Sequence, residues 1–138
     1  MLKYRVIPRK NPQTKEVKFY AQLEHVVPIT VDALAQDISD STTLTVHDTK
    51  AVISALEEHI MKALRNGYSV RLRDLGSFYP TLRSRGAETE KDFKTEMIKT
   101  VNIVFSKSAK MQHGFAVNNP NITFKRTDAQ QEEEEGEA

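Results

Sequence analysis

The chain has 138 residues, no cysteine, and 20 basic against 19 acidic residues, for a net charge of +1. The lack of cysteine excludes disulfides and cysteine-based zinc sites, and it favours a reducing compartment such as the cytoplasm. No apolar run is long enough to indicate a membrane span or a signal peptide. We therefore expect one soluble domain with short extensions and no membrane partner.

The charges are segregated along the chain. From Asp128 onward the tail DAQQEEEEGEA holds six acids and no base, so residues 1–127 carry 20 basic against 13 acidic residues. Such an acidic segment is predicted to be disordered. It either solubilises the chain end or competes with an anionic ligand for a basic face of the folded part.

The N-terminal segment predicts an antiparallel β-hairpin. Residues 2–7 (LKYRVI) and 17–23 (VKFYAQL) alternate between apolar and polar side chains, as half-exposed strands do. Pro8 is expected to end the first strand. The intervening RKNPQTKE is predicted to be a polar turn with Asn11-Pro12 as its nucleus.

Two helices follow the hairpin. Thr30 is the expected N-cap of a helix that reaches about Asp40, and a longer helix begins at Thr45 or Val46 and ends at Gly67. The longer helix is apolar on two sides, more than a monomer of this size would bury, which favours a second copy of the chain. Its apolar residues are Val52, Ile53, Leu56, Ile60, Ala63 and Leu64.

The stretch GYSVRLRDLGSFYPTLRSR, residues 67–85, predicts a tight hairpin that ends in positive charge. Apolar and polar residues alternate from Val70 to Leu75, the period of a half-buried strand. Gly76 then marks a turn or a close backbone approach. Because proline donates no hydrogen bond, Pro80 places the second strand at a sheet edge or brings it to one there.

The remainder of the chain returns from this hairpin. Within residues 86–97 (GAETEKDFKTEM), the spacing of Thr89 and Asp92 favours a short helix at the tip. IKTVNIVF is the returning strand, and Ser106 or Ser108 then caps a short closing helix. ITFKR, residues 122–126, predicts an added edge strand that pairs with the N-terminal hairpin.

The segment from about residue 29 to 115 resembles the HU/IHF family of histone-like, DNA-bending proteins. It shares the two-helix base, a strand-turn-strand with a Gly-Ser-Phe core, a basic arm and a last helix, over roughly 85 residues. The matching residues are Ala63, Leu64, Gly67, Val70, Leu72, Gly76, Ser77 and Phe78, with Arg83 and Arg85 at the root of the arm. The N-terminal strands are similar to those of a divergent branch of the family. RKNPQTKE echoes the tip of ordinary HU arms, so a displaced DNA wedge is the alternative to a plain turn.

The resemblance implies an α+β fold with a helical dimer base, a β-hairpin with a projecting arm, and added terminal strands. The expected organisation is an N-terminal β-hairpin at 1–28, an HU-like domain at 29–115, a C-terminal strand extension at 116–127 and the acidic tail at 128–138. It also implies a homodimer that binds and bends double-stranded DNA with little sequence preference in the nucleoid, without a cofactor.

The residues expected to contact DNA lie on the hairpin, the arm and the closing helix, where they would neutralise phosphates. They are Arg71, Arg73, Arg83, Arg85, Lys91, Lys94, Lys99, Lys107 and Lys110. The tip departs from the family because it has no proline to wedge between base steps, which leaves Phe93 or Met97 for that role. Four acids at residues 88–96 would repel phosphate there, which puts strong bending and tight binding in doubt.

No enzyme motif occurs in the chain, neither a P-loop nor a GxSxG, HExxH or GxGxxG sequence, and we expect no catalysis. The four histidines lack metal-ligand spacing, so no metal site is expected. The alternative to DNA bending is an HU-derived structural or protein-interaction dimer that recruits a partner through its terminal edge strands.

Overall fold

The computed structural model describes residues 1–128, which form two compact units. One unit is residues 29–113, and the other combines residues 1–28 with residues 114–128. The acidic tail lies outside the described residues from position 129. No helix in the described part is long and apolar enough to cross a membrane.

Three helices and two three-stranded sheets confirm the predicted α+β fold. In chain order the elements are β1 (Leu2–Lys10), β2 (Val17–Leu23), α1 (Val31–Ser41), α2 (Val46–Arg65), β3 (Val70–Leu72), β4 (Gly76–Ser84), β5 (Ile98–Lys107), α3 (Ala109–Gly114) and β6 (Phe124–Arg126). The terminal sheet has the order β2-β1-β6, with β1 antiparallel to β2 and parallel to β6. The predicted N-terminal hairpin and its pairing with the added strand are thus confirmed.

The prediction that Pro8 ends the first strand is wrong. β1 continues to Lys10, and Pro8 pairs with Phe19 of β2. On the side that faces β6, the β1 backbone donates from Leu2 to Thr123 O (2.8 Å) and from Val6 to the Asp128 carboxylate (3.0 Å). Every second residue of β1 directs its N–H toward β6, and Pro8 is the next such residue after Val6. Because β6 has already ended there, the missing N–H of Pro8 leaves no acceptor unpaired.

Asp128 closes the end of the terminal sheet. Its carboxylate accepts hydrogen bonds from the Val6 N–H and from the Arg126 guanidinium. The side chains of Arg126 and Asp128 are each 31% exposed. The hydrogen bond from Arg126, and then that from Val6, holds the pKa of Asp128 below its ordinary value, while Asp128 raises the pKa of Arg126. The carboxylate therefore remains ionised and paired at neutral pH.

The first long helix begins at the predicted cap Thr30, and the second begins at Val46, one of the two predicted starts, with Thr45 as its cap. Ala33 N donates to Thr30 Oγ1 (3.2 Å), and Asp48 N donates to Thr45 Oγ1 (3.1 Å). α2 ends at Arg65, and Gly67 has the positive φ of +83° that commonly follows a helix C-terminus. Local capping chemistry thus sets the helix boundaries.

The unit of residues 29–113 buries very little apolar surface within one chain. Among the described residues, only Ala35 and Leu64 are buried hydrophobic side chains. On α2, Val52 is 57% exposed and Leu56 is 48% exposed. A domain of about this size needs a larger core than this to be stable alone.

The second sheet has the order β3-β4-β5. β3 covers β4 only from Gly76 to Phe78, after which β4 and β5 pair alone. Pro80 lies in this uncovered part, so the prediction that β4 reaches an edge at Pro80 is confirmed. Gly76 is buried, and a Cβ there would lie 2.1 Å from Ser106 O, which confirms the close backbone approach.

Candidate nucleic-acid interface

The uncovered pairing of β4 and β5 forms an arm, which we define as Tyr79–Ser84 with Ile98–Val104. Its register pairs Tyr79 with Val104, and Leu82 with Val101. Because successive side chains of a strand alternate, the arm has two distinct faces. One face is apolar and the other is largely polar.

The apolar face carries a row of cross-strand pairs. Phe78 and Phe105 meet at its base with ring centroids 5.0 Å apart, followed by Pro80 opposite Ile103 and then by Leu82 opposite Val101. Ile103 remains 52% exposed, and Leu82 and Val101 are exposed to a greater extent. This face is therefore uncovered in the single chain.

The polar face carries two of the predicted arginines. The register pairs Arg71 of β3 with Ser77 and Arg83 with Thr100, so both arginines share this face with Thr81 and Asn102. Six residues of extended chain separate positions 77 and 83, a span of about 20 Å. The face is thus long, hydroxyl- and amide-bearing, and cationic at both ends.

A β-bulge near the end of the arm brings Arg83 together with two more of the predicted cations. The register shifts there, since Arg83 faces Thr100 while Ser84 faces Ile98, and Lys99 is the extra residue. Arg85 follows directly, and its N–H donates to Met97 O (2.9 Å). Bulges commonly re-aim side chains at functional sites. We call Arg83, Arg85 and Lys99 the bulge cluster.

A second group of predicted cations surrounds the turn between β3 and β4. We call Arg73, Lys107 and Lys110 the base cluster. Ser108 Oγ donates to Asp74 O and also caps α3 by accepting from Met111 N (3.0 Å), which brings the start of α3 to this turn. Lys110 Nζ lies 3.0 Å from Asp74 Oδ2, but both side chains are at least 70% exposed. A solvated pair of this kind is weak, so Lys110 can exchange it for a phosphate.

The tip of the arm has mixed charge and no α-helix, which corrects the predicted short helix there. Thr89 Oγ1 accepts from Asp92 N (3.3 Å), but the chain makes only a turn at this point and a short 3-10 helix follows at Thr95–Met97. Two acids precede Lys91, and Asp92 and Glu96 flank Phe93 and Lys94 in sequence. A capping interaction closes a turn, but only five residues lie between Asp92 and β5, too few for an α-helix to propagate.

The two candidate wedge residues differ in how available they are. Phe93 is 43% exposed and is held by its backbone N–H, which donates to Glu90 O (3.3 Å). Met97 is less exposed, and its Sδ accepts from Lys94 N (3.4 Å). Phe93 is therefore the more available apolar side chain at the tip.

The hairpin and arm differ from the two helices in their balance of charge. Residues 71–110 hold nine basic and five acidic side chains, whereas residues 29–70 hold three basic and six acidic ones. An anionic polymer is therefore attracted to the hairpin side of this unit rather than to its helices. Among the described residues, no cluster of histidine or carboxylate side chains is arranged to hold a metal ion.

Two capped helices followed by a three-stranded sheet with a projecting two-stranded arm define an HU-like fold. Anabaena HU, in a cocrystal with DNA, is similar at 23% identity and a TM-score of 0.52, over 64% of this chain and 99% of that one. A candidate bacterial DNA-binding protein from Bacteroides vulgatus is similar at 15% identity and a TM-score of 0.62, over 91% of this chain. The chain spans only 47% of that protein's length.

The sequence itself matches a family model over residues 1–126, described as an HU domain fused to a wHTH, Ig or glycine-rich motif. The chain belongs to this HU-HIG family, which confirms the resemblance to HU drawn from the Gly-Ser-Phe hairpin. A search of curated proteins found no match.

Proposed function

We propose that this chain is a non-enzymatic, histone-like protein that binds double-stranded DNA with little sequence preference and bends it in the nucleoid of the cytoplasm. The observation that carries the proposal is the arm, whose polar face and bulge cluster present cations on a two-stranded projection. The HU-like fold, and the similarity to an HU protein solved with DNA, support it. No cofactor has a role in this mechanism.

Phosphate neutralisation supplies the affinity. The bulge cluster lies along the arm and the base cluster at its foot, so a duplex that follows the arm meets cations at both places. Each phosphate contact releases condensed counterions, and affinity therefore falls steeply with salt. The remaining predicted cations, Arg71 on the polar face and Lys91 and Lys94 at the tip, add further contacts along the same path.

Sequence tolerance follows from which elements face the duplex. Base readout in the major groove requires a helix or strand with side chains fixed against base edges. α1 and α2 belong to a segment with more acids than bases, so neither is suited to enter a groove. A two-stranded arm in the minor groove reads groove width and deformability instead.

We expect Arg83→Gln/Arg85→Gln to weaken duplex binding severalfold and to lower the slope of log affinity against log salt by about 1 for each lost phosphate contact. The measurement is fluorescence anisotropy with a duplex of about 30 base pairs across a salt series. Arg83→Lys/Arg85→Lys is the matched control, because it keeps both charges and should keep the slope. If the parent chain does not bind duplex even at low salt, the proposal is wrong.

Bending is assigned to Phe93 at the tip. An apolar side chain that enters a base step unstacks it at a cost of a few kcal/mol, roughly, and kinks the duplex. Phe93→Ala should therefore reduce the bend, measured by energy transfer between dyes at the two duplex ends, with little loss of affinity. Phe115→Ala removes an exposed phenylalanine outside the arm, and the bend should not change. An unaltered bend in Phe93→Ala would remove the wedge role.

A homodimer is the proposed working form. The uncovered apolar face of the arm and the C-terminal part of α2 border two adjoining grooves, of about 220 and about 380 Å³. Leu64, Arg65 and Val101 line both grooves. A second copy that fills them would supply the core that one chain lacks, and it would provide the second arm with which to embrace a duplex.

The alternative function is an HU-derived dimer that serves assembly or recruits a protein. The terminal sheet favours it, because within residues 1–128 no strand pairs with the outer edge of β2, and the apolar side chains of β2 are open to solvent. Phe19 is 70% exposed, and Val17 and Leu23 are about half exposed. An added strand or an apolar partner fits such an edge. Under this alternative, the Arg83 and Arg85 substitutions would leave assembly unaffected.

A further inference from the structure

The terminal sheet has one strongly basic face. Alternation along the strands places Leu2, Tyr4 and Val6 on the apolar face with Phe19 and Phe124, as their register shows. The opposite face carries five exposed cations at strand positions, together with Ile7, Tyr20 and Gln22, and Glu24 lies at its margin, where the Glu24 N–H donates to Lys3 O (2.9 Å). The five cations are Lys3, Arg5 and Arg9 of β1, Lys18 of β2 and Lys125 of β6.

Like charges stand directly opposite each other on this basic face. The register pairs Lys3 with Lys125 across β1 and β6, and Arg9 with Lys18 across β1 and β2. Directly opposed like charges destabilise a sheet. Among the described residues, none of these four forms an ion pair with a carboxylate. The face thus carries like-charge repulsion, which an external polyanion would reduce.

The surroundings keep this face cationic. Glu16 and Glu24 flank β2 in sequence at its two ends, and Glu24 Oε1 accepts a hydrogen bond from Thr127 Oγ1. Arg9 lies over the Tyr20 ring, 5.8 Å from its centroid, and Arg5 Nη2 donates to Gln22 Oε1 (3.3 Å). These contacts steady both guanidinium groups without neutralising them.

The charge balance of the two units adds a second argument. Residues 29–113 hold 12 basic and 11 acidic side chains, whereas residues 1–28 and 114–128 hold eight basic and three acidic ones. Most of the excess positive charge of the described chain therefore lies outside the HU-like unit. A surface of this kind attracts the phosphate backbone of a nucleic acid over a range set by the ionic strength.

We propose that the basic face of the terminal sheet is a second DNA-binding surface, which takes the sugar-phosphate backbone of the duplex engaged by the HU-like unit. The inference rests on the proposed function. Neighbouring strands lie about 4.8 Å apart and alternate residues about 7 Å apart, so the five cations form a grid. A grid without a recognition element binds backbone irrespective of sequence.

The test uses Lys18→Gln/Lys125→Gln in the full chain, with anisotropy on a duplex of about 40 base pairs across a salt series. We expect the salt slope to fall by about 1 for each lost contact, and affinity to fall about tenfold at low salt. Lys10→Gln/Lys15→Gln is the matched control. It removes two lysines from the same unit, but from the turn end of the hairpin rather than from the basic face, and should keep the parent slope.

Two further measurements separate binding from folding. Removing one lysine from each repelling pair should leave the melting temperature unchanged or raise it, and Lys18→Arg/Lys125→Arg should restore the parent slope. An unchanged slope in Lys18→Gln/Lys125→Gln, or an equal loss in both glutamine pairs, would overturn the second surface. If either of these outcomes is found while the parent chain binds duplex, only the second surface is refuted, and the proposed function of the arm still stands. If the parent does not bind duplex, both proposals are wrong.

Discussion

Gly76→Ala is expected to unfold the HU-like unit under conditions in which the parent chain is folded. The new Cβ would lie 2.1 Å from Ser106 O and 3.0 Å from the Phe105 ring, at a backbone φ of +153°. Ser106 O belongs to the neighbouring strand β5 and cannot move without breaking the ladder that begins the arm. Overpacking and backbone strain each cost about 1–3 kcal/mol, so a loss of about 3–5 kcal/mol is expected.

The measurement is urea denaturation followed by circular dichroism at 222 nm, since α1 and α2 lie in this unit and α3 begins in it. Gly86→Ala is the matched control, because no atom lies within 4 Å of the added Cβ and its φ is not in the positive range. Its midpoint should stay within experimental error of the parent midpoint. Equal midpoints for all three chains would show that β4 and β5 are not in close contact at Gly76.

Val101→Lys is expected to dissociate the proposed homodimer. Val101 is 60% exposed in the single chain, so a lysine there costs little unless another molecule covers it. In the dimer it would bury an ammonium group beside Arg65, with no carboxylate among the residues that line the grooves. The effective penalty for an unpaired buried charge is several kcal/mol, on the order of a hundredfold or more in the dissociation constant.

Sedimentation equilibrium would report the change in mass directly. Asn102→Lys is the matched control, because it adds the same charge one residue along on the polar face of the arm. It should remain dimeric, and the added cation should not weaken DNA binding. Val101→Lys should bind DNA more weakly despite its extra positive charge, since a monomer presents one arm. A Val101→Lys protein with the parent mass would refute the dimer interface.

Local chemistry made the helices and the hairpin predictable from the sequence. Thr30 and Thr45 precede apolar-periodic runs and cap the helices there. Gly76 between two apolar strand segments correctly indicated a close backbone approach. In each case the determining interaction lies within a few residues, or concerns a residue type with one dominant physical role.

The features that the sequence did not determine depend on which strand is the neighbour. A proline can occupy position 8 inside β1 because β6 ends before it reaches that position. The sequence around Pro8 does not reveal this, since β6 is more than one hundred residues away in the chain. The faces of the cations depend on strand register, so Lys3 and Lys125 could not be paired from their spacing alone. For the same reason the basic face of the terminal sheet could not be predicted from the sequence. Its only sequence signal is the alternate spacing of Lys3, Arg5 and Arg9.

The placement of Pro8 also decides how the terminal sheet can grow. Leu2 and Val6 satisfy their donors on the β6 side, and the donor series ends at Pro8. A strand that paired with β1 past the end of β6 would find no N–H donor at Pro8. β2 has no proline and keeps its whole outer edge available. A strand that pairs with β1 past the end of β6 therefore meets a missing donor, whereas a strand that pairs with β2 does not, so the sheet extends more readily at β2.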